Sequence, residues 1–153
     1  MDKLEFIPTK EFMIEAFKLA KIAKDNGEVP VGAVIELNGE IIGVGYNSCE
    51  KDNSQLKHAE IKAIEMATEK TGNWRLKNCN IYVTLEPCPM CTGAIINSRI
   101  NHIVFAAHDF KSGCCGSVTD LTKLDFLHKP KIYRGFMEEE SVVMLKDFFK
   151  NIR

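Results

Sequence analysis

Long apolar runs are missing from this sequence. No stretch approaches the ~20 consecutive apolar residues of a membrane-spanning helix, so a helical membrane protein is not expected. A dominant charge sign is missing too. Lys and Arg number 20 against 21 Asp and Glu, leaving a formal net charge of −1 and no general attraction to nucleic acid, although a local basic stripe could still supply one. Internal repeats, low-complexity tracts and Pro/Gly/Ser-rich linkers are absent, so residues 1–153 are expected to form one domain, large enough for a substantial core. Met1 to Lys10 carries two acids and lacks the apolar core of a signal peptide; a cytoplasmic protein is the expectation.

Cysteine is what stands out. There are six, and where no secretion signal is read the thiols stay reduced, so a Cys-x-x-Cys pair serves metal binding or redox chemistry more often than a disulfide.

The patterning alternates helix and strand. Thr9 can N-cap a helix to about Asp25, with Phe12, Ala16, Leu19 and Ala23 at helical spacing. Val31 to Leu37 is β-rich, and Asn38-Gly39 predicts a type I′ turn into a second strand, Ile41 to Tyr46. Gly43 and Gly45 weaken that strand and suggest close backbone approach. Asn47 to Lys57 reads as a polar loop, His58 to about Glu69 as a helix, Ile81 to Leu85 as a buried strand and Met90 to Ser98 as another helix. Strands at His102 to Ala107 and Ile132 to Tyr133 and a last helix from Glu138 to Asn151 complete the series. This order predicts an α/β fold, a three-layer α/β/α sandwich on a mixed five-stranded sheet with an antiparallel opening hairpin.

The residues that carry chemistry are His58-Ala59-Glu60 and Pro87-Cys88-Pro89-Met90-Cys91. Zinc takes thiolate and imidazole ligands, four from the protein in a structural site and three plus water in a catalytic one. His58, Cys88 and Cys91 supply three, with no second Cys-x-x-Cys or His pair to close the cage, which points to an open coordination position. Cys88 and Cys91 are three apart, so the first turn of a helix puts both sulfurs on one side, where the helix dipole favours thiolate. Glu60, in the first turn of its own helix, can serve as a proton shuttle without being a ligand, since zinc lowers the pKa of water to about 7. Taken singly each piece is weak. Cys-x-x-Cys also occurs in thioredoxin-like redox pairs, and a lone His or Glu is usually structural or solvated.

Together the pieces match the H-x-E…P-C-x-x-C signature of the zinc nucleobase deaminases. The sequence further resembles the bacterial tRNA-specific adenosine deaminases in Glu28-Val-Pro-Val-Gly-Ala-Val34, in Thr84-Leu-Glu-Pro-Cys88, in Asp109-Phe-Lys-Ser-Gly113 and on to the terminal Asp147-Phe-Phe149. The resemblance implies a cytidine deaminase-like fold, one Zn2+ per chain, a homodimer, and conversion of adenosine to inosine at the wobble position of a tRNA anticodon loop. It also implies that Asn47 contacts the flipped base; by itself an asparagine there equally suits a turn.

Lys146, Lys150 and Arg153 form a basic stripe on the last helix that suits phosphates, and equally suits the negative end of the helix dipole. Val142, Leu145, Phe149 and Ile152 fall on another face, expected to pack on the core. Phe110 could stack on a base or pack. Cys114 and Cys115 are either small fillers or oxidisable thiols near the RNA path, while Cys49 and Cys79 read as buried or incidental. His102, His108 and His128 read as structural or solvent-facing, and Met13, Met66 and Met144 as core residues. A free-base or nucleoside deaminase, for guanine or cytosine, would share every zinc residue and is the alternative. A non-catalytic module would instead leave Glu60 dispensable.

Overall fold

A computed structural model describes residues 5–151. The elements run α1 (Lys10–Asp25), β1 (Gly32–Leu37), β2 (Glu40–Tyr46), α2 (Cys49–Asp52), α3 (Ala59–Thr71), β3 (Cys79–Leu85), α4 (Pro89–Asn97), β4 (His102–Ala107), β5 (Lys131–Tyr133) and α5 (Glu138–Asn151), with a 3-10 turn at Leu121–Lys123. The strands form one mixed sheet in the order β2-β1-β3-β4-β5. β1 is antiparallel to β2 and β3, whereas β4 is parallel to β3 and β5. The expected α/β/α sandwich is what forms. Asn38 and Gly39 both take positive φ (52° and 85°), as a type I′ turn between twisted strands demands.

Both faces of the sheet are covered, which is why its inner strands are apolar at nearly every position. Ala33, Ile35, Ile81, Val83, Ile103 and Phe105 face Ala59, Ala63, Ala67 and Ile95 of α3 and α4. Val34, Tyr82, Val104 and Ala106 face Phe12, Met13 and Ala16 of α1. α5 lies on the α1 side, where a Lys24–Asp147 ion pair joins the two helices and Ser141 donates to the Thr84 carbonyl. The two strand glycines work by close approach. A Cβ on Gly43 would stand 2.3 Å from the Ala63 carbonyl oxygen and one on Gly45 would stand 2.2 Å from that of Ala59. α3 therefore rests directly on β2, which brings its first residues beside the end of that strand.

Four expectations need correction. The Asn47–Lys57 segment is not all loop, because α2 forms inside it. Thr9 occupies the N-cap position of α1 but makes no side-chain capping bond; its backbone N–H donates to the Tyr82 hydroxyl instead. On α5 the buried residues are Ser141 and Phe148, Val142 and Leu145 are half-buried, and Phe149 is 48% exposed, so Phe148 rather than Phe149 is the inward aromatic. Met66 is also exposed, and Ile152 and Arg153 lie outside the described residues.

Candidate active site

The two motif segments meet because each opens a helix on the same face of the sheet. His58 is the N-cap of α3 and Cys88 the N-cap of α4, with Pro89 at the first helical position, where its missing N–H costs nothing. Neither cap residue spends its side chain on the helix, so both are free to face each other. His58 Nδ1 lies 3.6 Å from Cys88 Sγ and 3.5 Å from Cys91 Sγ, and the three donor atoms all fall within 4.8 Å of one another. The hydrogen bond from Cys91, together with His58, pulls the Cys88 thiol down to about 4, while that same partnership with Cys88 pushes Cys91 upward. The bond to Cys88 also raises His58. These donors thus share protons at one point, and a soft divalent cation would displace those protons.

Glu60 sits beside them, only 4% exposed, and burial pushes its carboxyl up to about 7. A group so tuned can both take and give a proton near neutral pH. The cleft in front has a volume of about 530 Å³ and is lined by Asn47, His58, Glu60 and Cys88, with Asp109 and Phe149 among its walls. Cys91 is fully buried behind it. Asn47 follows β2 directly, and its Nδ2 donates to the Val29 carbonyl at 3.4 Å.

Lys146 and Lys150 do not line this cleft. They line a second groove of about 510 Å³ that shares Phe149 with it and is walled by His108. Phe110 is 79% exposed and stacks on His108 at 5.9 Å, so it does not serve core packing. Cys114 and Cys115 are buried fillers. His102, His108 and His128 are held by Asn80, Glu138 and the Ile100 carbonyl, in keeping with structural parts.

Two buried carboxylates escaped the motif reading. Glu28 accepts from the backbone N–H groups of Glu50 and Lys51, fastening α2 to the cleft wall. Glu86 accepts from the backbone of Asp109, Cys115 and Ser117 and from the Ser117 hydroxyl, tying the loop after β4 to the strand end that leads into Cys88. Gly113 has no Cβ for a reason, since one would stand 2.3 Å from the Glu86 carboxyl carbon. Both acids lie inside segments that carried the family resemblance, the one sequence signal that could have found them. Each Glu86 oxygen already accepts two donors, so Glu86→Gln must set an amide N–H₂ against a backbone N–H. We expect a loss of about 3 kcal/mol, roughly 10 °C in melting temperature, by thermal unfolding. An unchanged melting temperature would show that the loop does not depend on this acid.

Comparison with known proteins places the site in context. Residues 7–153 match the MafB19-like deaminase family. The tRNA-specific adenosine deaminase of Bacillus subtilis (strain 168) is 45% identical over 143 residues, covering 93% of this chain and 89% of the relative. A solved structure from studies of A-to-I editing by tRNA deaminases at the wobble position of transfer RNA superposes with a TM-score of 0.85 at 39% identity, covering 90% of this chain and 100% of that one. Guanine deaminase from Bacillus subtilis is more distant, with a TM-score of 0.64 at 29% identity, covering 95% of each chain.

Proposed function

Because this chain belongs to the MafB19-like deaminases and, among them, to the tRNA-specific adenosine deaminases, we propose that it hydrolyses adenosine to inosine at the wobble position of a tRNA anticodon. The observation that carries the chemistry is the meeting of His58, Cys88 and Cys91 beside the buried Glu60 in one cleft. One imidazole and two thiols suit a single zinc ion per chain, and three protein ligands are the complement of a catalytic rather than a structural site. Bound there, zinc supplies Lewis acidity that makes water nucleophilic near neutral pH.

The chain's own residues supply the rest. Glu60 takes a proton from the attacking water and delivers it to the purine ring nitrogen beside the reacting carbon. It then takes the remaining proton of the newly added hydroxyl and hands it to the amine, so that the C–N bond breaks, the carbonyl forms and ammonia leaves. Its burial pushes the carboxyl up to about 7, so it can take up and release a proton near neutral pH. Asn47 binds the flipped base by its side-chain amide. A flipped nucleotide is easiest to draw from a loop whose bases are already unpaired, as in an anticodon.

Lys146 and Lys150, on the groove beside the cleft, bind phosphates of the loop. The enzyme acts as a cytoplasmic homodimer on this reading. The free-base alternative uses the same zinc residues, and the structural likeness, a TM-score of 0.85 at 39% identity to the tRNA deaminase against 0.64 at 29% to the guanine deaminase, favours the tRNA substrate. Replacing Lys146 and Lys150 together by Ala should weaken stem-loop binding and reduce the slope of log affinity against log salt by about 1.4, at roughly 0.7 per contact for a single strand. Titrations at several salt concentrations check this, and a wild-type slope would place the RNA elsewhere. The reading as a whole is tested by incubating zinc-loaded protein with an anticodon stem-loop carrying adenosine at the wobble position: inosine at that nucleotide is expected, and its absence would overturn the substrate.

A further inference from the structure

Asn47 can bind a base selectively only if its amide is held one way round, because an amide flipped by 180° exchanges its donor and acceptor. Val29 supplies one constraint, since its carbonyl can only accept and so draws Nδ2 toward it. At 3.4 Å that bond is long and leaves the amide loosely held. The second constraint comes from Cys49, whose Sγ donates to Asn47 Oδ1 at 3.0 Å.

We infer that Cys49 is a positioning residue for the base-binding amide: its thiol holds Asn47 Oδ1 and thereby turns the remaining Nδ2 proton toward the purine. This rests on the reading of Asn47 as a base contact. The thiol is well placed for such work. Cys49 lines the cleft as the first residue of α2, and that short helix is clamped from three sides. Glu28 accepts from the backbone of Glu50 and Lys51 at 3.0 and 2.8 Å, the Ser48 backbone donates to the Lys57 carbonyl, and Lys62 Nζ donates to the Ser48 hydroxyl. The sulfur therefore has little freedom to leave the amide. Burial, and then the carboxylates of Glu28 and Glu50, raise the thiol's pKa, so it stays protonated and acts as a donor. The amide keeps one N–H and one acceptor lone pair for a base, enough to tell a purine edge from one with the opposite pattern.

A double-mutant cycle on zinc-loaded protein tests this, with kcat and KM measured on the anticodon stem-loop and zinc content and melting temperature as controls. Cys49→Ala should lower kcat/KM about three- to tenfold, the worth of one hydrogen bond, with zinc unchanged. Cys49→Ser, which keeps a donor at that place, should recover activity to within about twofold of wild type. Asn47→Ala combined with Cys49→Ala should be no worse than Asn47→Ala alone, because the thiol acts only through the amide. Wild-type kinetics in Cys49→Ala, failure of Cys49→Ser to recover activity, or losses that simply add would each overturn the inference. An Asn47→Ala variant with full activity would remove the base contact itself, and the inference with it. If the wild-type protein makes no inosine, the tRNA reading fails, and the same cycle on whichever free nucleobase is deaminated decides the part of Cys49.

Discussion

Glu60→Gln is expected to reduce turnover by about a hundred- to ten-thousandfold while leaving zinc in place and the stem-loop bound. The size follows from what the carboxyl is asked to do. Glutamine is nearly the same shape and keeps the cleft filled, yet it can neither accept a proton from water nor give one to the ring nitrogen. Glu60 is buried, and its carboxyl is poised at about 7, so no exposed acid can replace it from solvent. The loss should fall on kcat, since the missing interaction belongs to proton transfer rather than to binding. Single-turnover kinetics on stem-loop, with zinc counted by atomic absorption, separate the cases. Loss of zinc together with activity would make Glu60 a structural support of the metal site, and unchanged turnover would remove it from the mechanism.

Cys88→Ala should abolish stoichiometric zinc and bring activity to background. Cys88 is half-buried at the cleft, so removing its sulfur leaves little cavity, and any large loss of stability must come from the metal. For wild-type protein, zinc at a hundred times its dissociation constant contributes about 2.7 kcal/mol to folding, or roughly 5–10 °C in a chain of this size. The variant should show no such zinc-dependent rise. Melting curves with and without added zinc, beside metal analysis, read both effects. One zinc per chain retained in Cys88→Ala would disprove the ligand assignment.

What the sequence made legible is unevenly spread, for physical reasons. The strands and long helices were readable because burial on both sheet faces imposes unbroken apolar runs, and because Asn38-Gly39 permits only a tight turn. Gly43 and Gly45 were readable as close approach, though only the structure identifies α3 as the neighbour. α2 was not readable: four residues have no periodicity, and what holds them is Glu28, more than 20 positions earlier in the chain. The face of α5 was misjudged because a buried serine, Ser141, bonds to the Thr84 carbonyl and turns Phe148 inward, leaving Phe149 to the cleft and groove. For the site, spacing and residue type made His58, Cys88 and Cys91 candidate ligands, and the resemblance to the deaminase signature added Glu60 and joined the two segments. The order of the sheet, the Glu86 tether and the Cys49 contact depend on long-range packing that no local pattern records.

Zinc-loaded protein should be offered an anticodon stem-loop with adenosine at the wobble position, in parallel with free guanine, cytosine, adenosine and cytidine, and ammonia and inosine followed in each. Inosine is expected in the stem-loop alone. Turnover of a free base or nucleoside with the stem-loop untouched would keep the zinc chemistry and contradict the tRNA substrate; if that base is guanine, the activity would be that of the more distant guanine deaminase relative.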